Sequence, residues 1–133
     1  MFGAQVASNV QVYPSVVVKI PWNLEIGEGS AIGASVIIYN LGSVFIGRNV
    51  TISQYAHLCA GTHDYRDSSF PLVKTPIRIN DGAWICSDAF VGPNVTVGKS
   101  AIVGACAVVV KDVAASTIVA GNPARVIKTR NDG

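Results

Sequence analysis

Two histidines, His57 and His63, stand six residues apart in "HLCAGTHDYRDSSFPLVKTPIRI", and they are the only imidazoles in the chain. Imidazole, with an ordinary pKa of about 6.5, is largely neutral near pH 7. It cannot strip a hydroxyl in advance, because the gap in acidity is too large. It can take the proton while the oxygen attacks an electrophile, a contribution typically worth about 10²–10⁴-fold. Two histidines fall short of the three of an all-histidine zinc site, and Cys59 makes an unconvincing third ligand. Cys59, Cys86 and Cys106 form no CxxC pair and read as reduced thiols. The chemistry that remains is acid–base work, and the two histidines differ in setting. His57 lies inside a regular run of residues, whereas His63 closes that run just before "DYRDSSFPLVKTPIR" interrupts it.

The regular run is a beat of six. Aliphatic residues fall at Ile26, Ile32 and Ile38, then after a two-residue slip at Ile46, Ile52 and Leu58. Beyond the break they return at Ile79, Ile85, Val91, Val97, Val103 and Val109. Small or branched residues such as Ser30, Val36, Ala56, Ala83 and Ala101 follow four places later, and Gly27, Gly33, Gly47, Gly92, Gly98 and Gly104 follow directly. A helical period of 3.6 would drift out of phase, and a half-buried strand would alternate in twos. Six residues suit a short flat strand plus a corner, with the aliphatic inward and small residues where bulk would clash. Three such sides close a triangular coil, and coils stack about 4.8 Å apart by parallel pairing. The expected architecture is all-β: a single domain over 1–133, built as a parallel β-helix of about five triangular coils. It should run from near Val6 to near Ala114, with one extruded loop at 64–78 and a C-terminal tail at 115–133.

Composition narrows the function classes. Only 14% of residues are charged, against a usual share of about 25%, so part of the surface is expected to be covered by copies of the same chain. A net charge of +2 without a Lys/Arg stripe argues against nucleic acid. No basic residue precedes Lys19, which makes a poor signal peptide, and "AIVGACAVVV" is too short to span a bilayer. A soluble, cytoplasmic protein without membrane insertion is expected.

The beat covers nearly the whole chain and resembles the hexapeptide-repeat family, whose members fold as left-handed parallel β-helices. The left hand rests on that resemblance, since parallel crossovers are generally right-handed. From Pro76 to Lys128, "INDGAWICSDAFVGPNVTVGKSAIVGACAVVVKDV" and "VAGNPARVIK" are similar to bacterial O-acetyltransferases that act on sugars. The earlier "PWNLEIGEG", "IYNLGSVFIG" and "THDY" resemble the branch that acetylates exopolysaccharide units of the colanic-acid type. Relatives in that branch usually carry a helical segment before "FGA", where this chain opens almost directly.

The resemblance implies a homotrimer that uses acetyl-CoA as co-substrate and a saccharide as acceptor, with no metal. The carbonic anhydrases built on this helix use three histidines, one more than this chain has. It places the catalytic base at His63, on the corner before the loop, while His57 is expected to be structural or exposed. Asn40 matches an asparagine that faces the neighbouring subunit's histidine, and a turn-forming role is equally open. Trp84 matches a position bordering the thiol end, so Asn40 and Trp84 are the candidate substrate contacts. Ser87, Ala105, Val110 and Lys111 match positions along the cofactor arm, with Val110 standing where threonine is common. Arg125 and Lys128 match the nucleotide end, where a guanidinium fork and an ammonium suit phosphate. The loop, which carries Tyr65 and Phe70, is either a tolerated excursion or one wall of a substrate cleft. Two rivals stay open: amino-sugar N-acetylation, and a β-helical scaffold without catalysis.

Overall fold

Strands of two or three residues cannot stand alone, so whatever they form must be held by stacking. Every strand before Thr117 has that length in the computed structural model, which describes residues 3–130. Met1 and Phe2, hence the start of "FGA", and residues 131–133 of the expected tail lie outside the described residues. Three parallel sheets form the faces of a prism. The first stacks Gln5–Val6, Leu24–Ile26, Val44–Ile46, Ile77–Ile79 and Thr96–Val97. The second stacks Gln11–Val12, Ala31–Ile32, Thr51–Ile52, Trp84–Ile85, Ile102–Val103 and Thr117–Ala120. The third stacks Val17–Val18, Ile37–Tyr39, His57–Cys59, Phe90–Val91 and Val108–Val109.

The six-residue beat becomes three buried columns. Ile26, Ile46, Ile79 and Val97 stand opposite one another on the first face. Ile32, Ile52, Ile85, Val103 and Val119 do so on the second, and Ile38, Leu58, Val91 and Val109 on the third. Outside, the third face carries Val17, Ile37, His57, Phe90 and Val108 in line, with Val17 55% and Ile37 40% exposed. The first face shows Gln5, Glu25, Phe45, Arg78 and Thr96 instead, with the Arg78 guanidinium 4.3 Å from the Phe45 ring centre.

Two expectations change. The solenoid winds about six times rather than five, because Thr117–Ala120 pairs parallel with Ile102–Val103 and so belongs to the prism rather than to a tail. The chain drops two residues near Val110–Asp112, so Val113 bridges to Val97 and Val119 to Val103, out of phase with the six-residue count. After Ala120 the chain reverses, and Arg125–Thr129 runs antiparallel on the same face. The loop is likewise shorter than 64–78. Gly61–His63 and Leu72–Lys74 pair as an antiparallel hairpin, and Ile77–Ile79 is already back on the first face against Val44–Ile46.

The glycines after the aliphatics are not the residues that turn. Corners between the first and second faces turn on the left-handed Asn9, Gly29, Asn49, Gly82, Ser100 and Ser116. Gly27 serves close approach instead: a Cβ there would lie 2.6 Å from the Gly47 carbonyl carbon and oxygen on the next turn. Departures from regular count gather at the corner between the third and first faces. They are the short 3-10 turn Pro21–Asn23, the slip at Asn40–Ser43, the hairpin, and Val110–Asp112.

Candidate active site

His63 ends the first strand of the hairpin, opposite Leu72, and is exposed. The loop beyond it is tied down by its own polar groups. The Asp64 N–H donates to the Pro71 carbonyl at 3.0 Å, and the Phe70 N–H donates to the Asp67 carbonyl at 2.9 Å. Asp67 takes hydrogen bonds from the Ser69 N–H and hydroxyl, which hold its carboxyl below the usual carboxylate range. Arg66 pairs with Asp64 at 3.1 Å at the surface. This geometry brings Phe70 back over His63. The rings stack with centres 4.2 Å apart and planes 7° from parallel. His63 Nδ1 lies 3.0 Å from the Phe70 carbonyl oxygen. A carbonyl only accepts, so the contact assigns the proton to Nδ1 and leaves the lone pair of the neutral ring on Nε2.

His57 sits on the third face beside Phe90, ring centres 5.3 Å apart and planes 76° from parallel. Burial lowers its pKa from the ordinary 6.5, which favours the neutral ring. It is half-buried packing, as expected.

Asn40 requires a correction. It is fully buried, its Oδ1 accepts from the Ile20 N–H at 2.8 Å, and its Nδ2 donates to the Ile20 carbonyl at 2.7 Å. Both ends of the amide are spent joining two turns, so it does not face a substrate. The slip in "IIYNLGS" is where a side chain replaces backbone pairing.

The other candidates occupy different edges of the prism. Trp84 is exposed on the second face, with its indole N–H donating to Ser53 Oγ at 2.9 Å. Ser87 and Ala105 lie at the corner between the second and third faces on adjacent turns, linked by the Cys106 N–H to the Ser87 carbonyl at 3.0 Å. Cys86 beside them has its thiol pKa raised by burial. Val110, Lys111 and Arg125 come together with Asp112 and Ala124 in a cleft of about 390 Å³ at the C-terminal end of the prism. Lys128 is exposed on the last strand, opposite Ile118. His63 stands at a different corner from Trp84, Ser87 and Ala105, so one protomer does not assemble the whole set. Among the described residues no three His, Cys, Asp or Glu side chains gather as metal ligands.

No protein-family model matches the chain. Over 130 residues it is 41% identical to an Escherichia coli (strain K12) protein named as a colanic acid biosynthesis acetyltransferase, WcaF; the match spans 98% of this chain and 71% of that protein. The chain belongs to the hexapeptide-repeat acetyltransferase family. Membership makes it an acyltransferase. A second family member, the galactoside O-acetyltransferase of the same organism, is 31% identical over 132 residues. There the match takes in 97% of this chain but 65% of the relative, under two thirds of its length. Among solved structures, a hexapeptide-repeat acetyltransferase from Vibrio cholerae O1 biovar eltor, complexed with acetyl-coenzyme A, superposes with a TM-score of 0.89. It is 27% identical, and the superposition covers 98% of this chain and 73% of that one.

Two neighbours of the candidate residues were not singled out by the sequence. Phe70 was visible only as a loop aromatic, with "FP" as its one local signal. Ser53, which orients Trp84, carried no signal, because it lies one turn of the prism away.

Proposed function

We propose that this chain is an acetyl-CoA-dependent O-acetyltransferase acting on a hydroxyl of a saccharide or polysaccharide precursor in the cytoplasm. It would work as a homotrimer of left-handed helices. The observation that carries the reading is an exposed imidazole at the tip of a hairpin strand, with Nδ1–H committed to a carbonyl and Nε2 free. His63 Nε2 takes the hydroxyl proton as the acceptor oxygen bonds to the thioester carbon, and returns it to the departing thiolate. The trimer is supported by the apolar outer column of the third face. It is also supported by the division of the candidate residues between prism edges, which a neighbouring copy would close. In that site Trp84 borders the thiol end beside the acceptor, Ser87 and Ala105 flank the arm of the co-substrate, Val110 and Lys111 continue it, and Arg125 and Lys128 meet its phosphates. The names of the two Escherichia coli relatives favour a sugar hydroxyl.

The test follows free thiol from acetyl-CoA across a panel of hydroxyl-only and amino-bearing saccharides. Hydroxyl-only acceptors should stimulate release. His63→Ala should lose about 10²–10⁴-fold in kcat while keeping its assembly state and CoA binding. Stimulation by amino sugars alone would convert the reading to N-acetylation. Turnover retained by His63→Ala would remove the base.

A further inference from the structure

The contacts of His63 raise a question that its role as a base does not answer. An exposed histidine on a hairpin strand is free to rotate, and a neutral imidazole can carry its proton on either nitrogen. Here both freedoms are restricted by one residue. The Phe70 carbonyl takes Nδ1–H, and the Phe70 ring covers one face of the imidazole.

Phe70 reaches that position at a cost. Its φ is +52°, in the left-handed region, which disfavours a side chain with a Cβ by roughly 1–2 kcal/mol. Turns that need this conformation ordinarily use glycine or asparagine; the prism corners of this chain use these or serine at most positions, with Tyr55, Asp88 and Cys106 as the departures. Burial does not explain the choice of phenylalanine in the loop, since Phe70 remains 54% exposed. Pro71 narrows the alternatives, because the residue before a proline is disfavoured in the right-handed helical region. The loop then secures the bend through the Phe70 N–H to Asp67 and the Asp64 N–H to Pro71. An aromatic ring in a strained, solvent-facing position finds its stacking partner in His63.

We propose that Phe70 is the positioning residue of the base: its carbonyl selects the Nδ1–H tautomer and its ring fixes the imidazole plane, so Nε2 is presented in one direction. This rests on His63 being the base, and it adds a residue that acts only through His63. The role is kinetic rather than one of affinity. Misplacing a reacting group by about an ångström can lower the rate by about 10²-fold without altering binding.

The decisive comparison is between Phe70→Gly, which keeps the left-handed backbone and the carbonyl but removes the ring, and Phe70→Tyr, which keeps the ring. Phe70→Gly should lower kcat about 10-fold to 10²-fold, with the KM for acetyl-CoA within about twofold of wild type. Phe70→Tyr should return kcat to within about twofold. Nitrogen NMR of isotope-labelled histidine at about pH 8, assigned with His57→Gln, should show His63 as Nδ1–H in the wild type and, because the carbonyl is retained, in Phe70→Gly as well, so that the loss of kcat reads the ring alone. Wild-type kcat in Phe70→Gly, or an Nε2–H tautomer in the wild type, would overturn the positioning role while leaving the base in place. Turnover retained by His63→Ala would overturn the base, and the positioning role with it.

Discussion

Two corners of the same prism are built under opposite rules. Between the first and second faces each turn repeats the last, with one left-handed residue stacked on another. The Asn49 N–H donates to Glu28, Gly82 to Arg48, Ser100 to Asp81 and Ser116 to Lys99, all at 2.9 Å. Between the third and first faces the passages vary in length, from a step of four residues, Val109 to Val113, to one of 21, Leu58 to Ile79, and side chains stand in for missing parts of the backbone ladder. Asn40 holds Ile20 there, and Asp112 Oδ1 accepts from the Thr96 N–H at 2.8 Å. The difference shows how a solenoid separates stability from chemistry. An insertion at the irregular corner leaves the register of the columns intact, since Ile79 still lands on Ile46 after the hairpin. Variation can collect at that edge, and His63 is found there.

Substitutions can break this contrast. The largest expected effect belongs to the irregular corner and is kinetic: His63→Ala lowers kcat by about 10²–10⁴-fold without moving the melting temperature. Next is Asn40→Ala at the same corner. It strands a partly buried N–H and C=O of Ile20 and should cost about 1–3 kcal/mol in denaturant unfolding, with kcat unchanged in the folded protein. A large loss of kcat with intact stability would restore Asn40 to the substrate site. At the regular corner, Asn49→Ala should destabilise by about 1–2 kcal/mol, because alanine lacks the local hydrogen bonding that eases left-handed asparagine, while Asn49→Gly should be nearly neutral. Equal losses in both would mean that the side chain, and not the backbone conformation, holds the corner. The smallest effect tests the histidine on the flat face. Because burial depresses the folded pKa of His57, the unfolded chain binds its proton more readily. Stability from this group is therefore full above about pH 6.5 and is lost as pH falls through its lower folded value. Unfolding curves between about pH 7.5 and 5 should show the loss, and His57→Gln should flatten it. A wild-type profile that is flat there would mean that His57 is no more buried than a surface imidazole.

The legibility of each part follows from how local its cause is. The inward columns were readable because burial repeats every six residues and each repeat satisfies itself on an identical neighbour. His63 was readable because it stands where that repetition stops. The sixth winding was obscured by a two-residue deletion at Val110–Asp112, which shifts the phase without changing the composition. Asn40 misled for a related reason. A polar residue at a slip looks the same in sequence whether its amide faces a ligand or closes on the backbone of the previous turn.

From its sequence alone this protein was committed to a triangular, all-β prism with an interruption after His63, because the period of its aliphatics admits no other regular stacking. Only the tertiary structure decided which residues turn the corners, which way the Asn40 amide closes, and that Phe70 folds back onto His63. Those outcomes depend on contacts across turns or around a hairpin, and a contact of that kind leaves no period in the chain that makes it.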